Sequence, residues 1–461
     1  MQHLVILVFQ RAAQKVRFKD GMQAAQKALN DPDPSTWDEA YQGQKIHALI
    51  ILADEDPNRL NDVRQRVESS MPGVARALVC EEGLALRDLF NKPVEHFGYR
   101  DGISQPLFFQ EEVGKAVKRA RKDTAAGLEY DPSAGLDLVL VEDPLAPKGD
   151  FGRDCFGSYF VFRKLKQNVR GFKQAEDALA ELLELEGEDE ERAGALIVGR
   201  FEDGVPVELS PRQARIIKKK DGTEAFDPDD EKELVDANDF NYHRDLVGRK
   251  CPIQAHIRKT NPRGDTARLW IREQGGPSNT RELDRAELLH RIARRGITYG
   301  RRALGANGMP TLKDKPERGV GLLFQCYQAR IGDQFAFMQQ GYCNSPDFAR
   351  KGLGLDALIG QFVRDNRGQL KWPPEWNDGD PQKDIPFDFG DFVTLKGGEF
   401  FFAPSIPFLR GLDGTIPAVF RDQAELKNEL VAPGESSAPL PSEPELTGPT
   451  PAGASKEGAH Q

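Results

Sequence analysis

A chain of 461 residues, 39% apolar and 30% charged, is long enough for two domains with sizeable cores. Its formal net charge of −10 comes from 73 acidic against 63 basic residues, and no run of basic residues interleaved with aromatics is present, so nucleic acid is excluded as an expected partner. The first apolar run, Leu4 to Phe9, is too short to span a bilayer and lacks a basic stretch before it and a cleavage site after it, so no membrane partner and a cytoplasmic address are expected.

In chain order, Leu4 to Phe9 reads as a strand, Met22 to Leu29 as a helix and His47 to Ala53 as a strand. Arg59 to Ser70 has apolar residues at helical spacing, and Val74 to Cys80 is again β-like before a glycine-rich loop near Gly98. Glu111 to Asp123 and Glu176 to Arg192 predict solvated amphipathic helices, the second with leucines at 179, 182, 183 and 185. Gly157 to Lys166 predicts a strand buried on both sides, Tyr159 and Val161 on one face and Phe160 and Phe162 on the other. Lys218 to Asp236, polar and interrupted by Pro228, predicts a surface loop. Gly319 to Gln328 and Glu399 to Ala403 follow as strands, with Gly332 to Gln340 as a helix. Split β-α-β units are the simplest account of this order. The stretch from Ala432 to Gln461 holds six prolines and only two large aliphatics, Leu440 and Leu446, too little apolar surface to offset the entropy of ordering.

Five cysteines (Cys80, Cys155, Cys251, Cys326 and Cys343) are scattered, without a C-x-x-C pair, and read as reduced thiols. Only seven histidines occur. His256 stands apart in the run Cys251-Pro-Ile-Gln-Ala-His-Ile-Arg-Lys-Thr-Asn-Pro-Arg263, where apolar neighbours meet concentrated positive charge. A neutral imidazole in an apolar wall is a good metal ligand, and nearby guanidinium groups can hold carboxylates of a bound molecule; an ordinary loop histidine is the alternative. Gly98 and Gly102 bracket Asp101 in a turn that can present one carboxylate to a cavity, although turn-forming aspartates between glycines are commonplace. In Arg291 to Gly300 one arginine can point inward, against the more usual surface pairing.

Together these segments resemble the dye-decolorizing peroxidase family. The string His96-Phe-Gly-Tyr-Arg-Asp-Gly-Ile-Ser-Gln-Pro106 is similar to its GxxDG signature, the His256 run resembles the block with its proximal haem ligand, and Arg294 falls where its distal arginine is expected. Gly157 to Lys166, Asn238 to Tyr242, Gly321 to Phe324 and Gly397 to Ser405 also look familial, so the resemblance runs from about His47 to Leu412.

The resemblance implies an α+β fold of two ferredoxin-like domains with antiparallel sheets: residues 1–190 with the GxxDG loop, residues 191–431 holding most of the haem, and a tail at 432–461. It implies haem b with His256 as the iron ligand, Asp101 moving a proton of hydrogen peroxide and Arg294 stabilising developing charge. Ile103, Ser104 and Arg263 are expected at the cofactor, with Leu322 and Phe324 walling the distal pocket. Asp356 is expected to accept a hydrogen bond from His256, with helix capping as its plainer role. The expected partners are hydrogen peroxide and small phenolic or dye-like electron donors. A haem-handling protein with incidental peroxidase activity is the other reading. Trp270, Trp372, Trp376 and Tyr299 are conceivable electron relays, with ordinary packing the plainer role for each.

Overall fold

A computed structural model describes residues 16–144, 146, 155–266, 268–269, 281–303, 314–348, 350–361 and 370–410. Its centre is an antiparallel six-stranded sheet of β1 (Val141–Glu142), β2 (Phe156–Gln167), β3 (Ala293–Arg294), β4 (Ile297–Tyr299), β5 (Gly321–Gln328) and β6 (Val393–Ala403). β2 is the middle strand: Val161 lies opposite Cys326 of β5 on one side and Phe400 of β6 on the other. Its run Phe160 to Arg163 is buried on both faces, as the sequence predicts for a strand of alternating aromatic and branched residues. The sheet takes strands from both sides of residue 190, where the sequence places the boundary between two units.

α1 (Gly21–Leu29) packs Met22, Ala25 and Leu29 on this sheet with Trp37, Phe335 and Phe400. Just past its end, Asp31 receives the buried Arg163 of β2 through both guanidinium nitrogens, a bidentate pair that fixes helix to sheet. β6 bends beside Tyr41 at Gly397, where φ is 150° and a Cβ would lie 2.2 Å from the ring, so only glycine fits. A second core gathers around α4 and α5 once the intervening helices are placed: α2 (Pro57–Ser70), α3 (Gln110–Arg119), α4 (Val169–Leu182) and α5 (Glu191–Val198). Phe97, Phe172, Leu179, Leu196, Trp372 and Phe389 form its centre.

Several expectations are corrected. The stretches 47–53 and 74–80 join no ladder among the described residues, the second opening in a turn in which Val74 N–H and Ala75 N–H donate to the Met71 carbonyl, and Leu49, Ile50, Ile51, Val74 and Val79 are exposed. Alternating apolar residues suit a strand, but a strand also needs a partner that local sequence does not specify. Pro228 does not interrupt a loop: it starts the short helix Pro228–Glu233, capped by Asp227, where its missing N–H costs nothing. Before it, Ile216–Lys218 and Glu224–Phe226 pair as a hairpin. The expected helix from Glu176 to Arg192 ends at Leu182, which is exposed, while Leu179, Leu183 and Leu185 are buried. Leu4 to Phe9, Trp270 and the tail from 432 lie outside the described residues. None of the five cysteines forms a disulfide among the described residues, and among these residues no helix is long and apolar enough to cross a membrane.

Candidate active site

The two cores meet at a cavity, with Phe97, Tyr99 and Val198 on one side and Ile292, Phe324 and Phe335 on the other. One wall is made by the short helix α6 (His256–Thr260). The turn before it is pinned from beneath. Asp245 accepts the backbone N–H groups of Arg249 and Cys251 at 2.6 and 3.0 Å, and the buried Arg258 guanidinium bridges Asp245 and Asp265 at 2.9 and 2.6 Å. A buried charge so fully paired holds one geometry, and its cost of burial is offset only while every partner stays.

This scaffold turns His256 into the cavity. Its Nδ1 lies 2.9 Å from a carboxylate oxygen of Asp356, whose other oxygen accepts the N–H groups of Leu358 and Ile359 at 2.9 and 2.8 Å. The orienting and capping roles weighed from sequence are therefore filled by one carboxylate. Burial opposes its ionisation, but the His256 imidazole and the two N–H groups outweigh burial and hold the carboxyl below its ordinary range. An ionised acceptor places the imidazole proton on Nδ1 and leaves the Nε2 lone pair for a metal.

The loop from Glu95 to Pro106 forms another wall. Glu95 accepts the N–H groups of Phe97 and Tyr99 at 2.9 and 3.0 Å, folding the turn. Gly98 there has φ 110°, so this glycine of the signature is dictated by the backbone, and any Cβ would also displace the Glu202 carboxylate 2.6 Å away. Asp101 then faces Arg294 of β3, oxygen to Nη1, at 3.1 Å, and both side chains remain about one-third exposed. Three further hydrogen bonds hold the arginine. Its Nη2 donates to the Ser104 carbonyl at 3.0 Å, and Gln105 grips its backbone twice, accepting from the N–H at 3.1 Å and donating to the carbonyl at 3.2 Å. The loop that brings the carboxylate thus also places the guanidinium, across 193 positions of sequence.

Leu322 and Phe324, two positions apart on β5, share a face and line the cavity with Ile103. Another part of the lining is cationic. Arg200 lines it and donates to the carbonyls of Gly204 and Ala237, both at 2.8 Å. Burial and the neighbouring Arg263 push the Arg200 guanidinium down to about 9. Arg263 is buried one layer behind, donating to the carbonyls of Asn238 and Phe240 at 2.8 Å and to the Ser104 hydroxyl at 3.3 Å. Among the described residues its Nε has no hydrogen-bond partner. Neither arginine is ion-paired to a carboxylate among the described residues, so the rim of the cavity carries buried positive charge without a counter-ion. A flat apolar group with carboxylates on one edge, presented to an imidazole nitrogen, suits this donor set; haem has that chemistry.

Of the residues singled out from sequence, Asp101, Ile103, Ser104, His256, Arg294, Leu322 and Phe324 line this one cavity. Asp356 and Arg263 stand behind it, touching His256 and Ser104. Arg200 and Gln105 were missed. Gln105 sits inside the quoted signature, yet nothing local shows that its amide meets a strand 189 positions away. Arg200 lies in a glycine-flanked stretch between Gly199 and Gly204, and its burial is the signal that sequence lacks. Of the conceivable relays, Trp372 and Trp376 spend their indole N–H on the carbonyls of Phe387 and Val207, as packed residues do.

Comparison with known proteins identifies the family. Residues 2–84 match a family model described as the DyP dimeric alpha+beta barrel domain. The multifunctional dye peroxidase DyP2 of Amycolatopsis sp. is 42% identical over 403 residues, 86% of this chain and 77% of that protein. Peroxidase 2 of Mycetinis scorodonius is 30% identical over 406 residues, covering 84% and 70% of the two chains. Among solved structures, a DyP-type peroxidase of Anabaena sp. superposes with a TM-score of 0.72 at 36% identity over 87% of this chain and 76% of that one. DyP2 from Amycolatopsis gives 0.70 at 38% identity over 89% and 81%. With an α+β fold of antiparallel strands in common with these haem enzymes, the chain belongs to the dye-decolorizing peroxidase family and is an oxidoreductase that acts on peroxide.

Proposed function

We propose that the cavity holds haem b with His256 Nε2 on the iron, and that Asp101 and Arg294 process hydrogen peroxide for the oxidation of small phenolic or dye-like donors. The observation that carries this reading is that one cavity is lined both by an imidazole backed by a buried carboxylate and by a partly exposed Asp101–Arg294 pair. Arg200, the Ser104 hydroxyl and the Arg263 guanidinium behind it supply positive charge and a donor for the haem carboxylates. Residues from 191 to 431 supply His256, Arg200, Arg294, Leu322 and Phe324, the larger share of the cradle, while Asp101, Ile103 and Ser104 come from 1–190.

Bound there, haem would supply the redox-active iron that passes the oxidising equivalents of peroxide to the donors. The protein's part is proton movement and charge. An Asp101 carboxylate oxygen takes the proton from the inner peroxide oxygen and returns it to the outer one, which departs as water. Arg294 Nη donates to the outer oxygen as negative charge develops there. Leu322 and Phe324 keep bulky donors away from that exchange, so donors deliver electrons at the haem edge or the protein surface.

A carrier of haem needs neither Asp101 nor Arg294, and their pairing at the cavity favours turnover. The discriminating experiment adds peroxide to the haem-loaded protein and follows the Soret band. The expected result is a rapid spectral change that reverts at a rate set by added phenol or dye. Slow bleaching indifferent to donor would identify a carrier.

A further inference from the structure

His256 leaves the first residue of α6, and Lys259 leaves the same turn three positions on. Its side chain is fully buried, yet no carboxylate is ion-paired to it among the described residues. Its ammonium donates instead to three backbone carbonyls, those of Tyr342 at 3.3 Å, Ser345 at 2.7 Å and Gly354 at 2.8 Å. Three protons meet three acceptors, so the group is saturated and has one orientation.

Those carbonyls belong to two stretches of chain, 342–346 and 354–356, that converge on Asp356. The stretches are tied to each other as well: Gly354 N–H donates to the Pro346 carbonyl at 3.0 Å, and Asp356 N–H to the Cys343 carbonyl at 2.9 Å. Gly352 and Gly354, at φ 77° and 88°, allow the return. One short helix therefore carries both the imidazole and the ammonium, and the segment gripped by the ammonium delivers the carboxylate that meets the imidazole. Among the described residues, the only other side-chain hydrogen bond from α6 to this segment is the His256–Asp356 contact itself.

We propose that Lys259 is a positioning residue for the iron ligand: by gathering the carbonyls of Tyr342, Ser345 and Gly354 against α6, it sets the Asp356–His256 hydrogen bond, and through it the electron density on the ligating nitrogen. This rests on His256 as the ligand. The length and alignment of that bond decide how much imidazolate character Nε2 has, which in turn decides how well the ligand supports oxidised iron. Lys259 touches neither the ligand nor the cavity and acts only through Asp356.

The test uses haem-loaded protein and two readouts, the iron–histidine stretching band in the ferrous resonance Raman spectrum and the ferric/ferrous midpoint potential. K259M keeps the apolar stem and removes all three donors. It is expected to move the band to lower frequency and the potential upward, in the direction of D356N, which removes the negative charge from the acceptor. In a D356N background K259M is expected to add no further shift, because the charged acceptor that it positions is already gone. K259Q, with two donors left, is expected to fall between wild type and K259M, and it serves the same comparison if K259M does not fold. A wild-type band and potential in K259M, or an equal shift in both backgrounds, would overturn the proposal. So would failure of both Lys259 variants to fold while D356N folds, since the residue would then be structural only. Absence of an iron–histidine band from the wild type would instead remove the ligand assignment.

Discussion

Replacing His256 with alanine is expected to strip the protein of stably bound haem or to leave the iron in a different ligand state, with a displaced Soret band and loss of peroxidase activity. Removing merely the hydrogen-bond partner of a metal ligand typically costs about 10- to 100-fold in affinity or activity, and removing the ligand itself should exceed that. The substitution also leaves the buried Asp356 carboxylate without its imidazole. Leu358 and Ile359 still donate to it, so the turn should survive even as the carboxyl loses the partner that helps to hold it ionised. Haem titration followed by absorbance checks this. An unchanged Soret spectrum with full activity would remove His256 from the site.

Asp101→Asn and Arg294→Leu are expected to retain haem but to slow the reaction with peroxide by about 10²- to 10⁴-fold each, the range for loss of a general acid–base or of a charge-stabilising donor. The amide cannot take up the peroxide proton, and leucine cannot meet the developing charge. Because the two side chains share one contact at 3.1 Å, the double variant should lose less than the product of the single losses. Stopped-flow mixing with peroxide measures all three rates. Wild-type rates in both single variants would refute the assigned roles, and loss of haem would make the pair structural.

How much of this was legible in the sequence depends on how local each feature is. The Asp101 turn and the His256 run could be found because their determinants lie within about a dozen residues: glycines at positive φ, an acid between them, a histidine among small apolar neighbours. β2 was legible because its aromatic and branched alternation is continuous. The stretch 47–53 is an unbroken apolar run after His47 and forms no ladder among the described residues, since pairing is decided by residues far away in sequence. Pro228 was misread because a proline ends one structure as readily as it starts another, and only the Asp227 cap distinguishes the two. The supporting layer was the least visible. Gln105 gripping Arg294, Arg200 at the rim and Lys259 among three carbonyls are ordinary polar residues whose importance arises from burial and from partners 37 to 189 positions away. Asp356 came to notice only through a family resemblance, 100 positions from the imidazole it orients.

The central claim is that His256 and the Asp101–Arg294 pair serve one haem from opposite faces. An experimental structure of the haem-loaded protein tests it most directly. The account predicts iron bound by His256 Nε2, with Asp356 retained on Nδ1, haem carboxylates among Arg200, Ser104 and Arg263, and the open iron face turned to Asp101 and Arg294. Iron bound by another residue, or Asp101 and Arg294 found on the same face as His256, would contradict it.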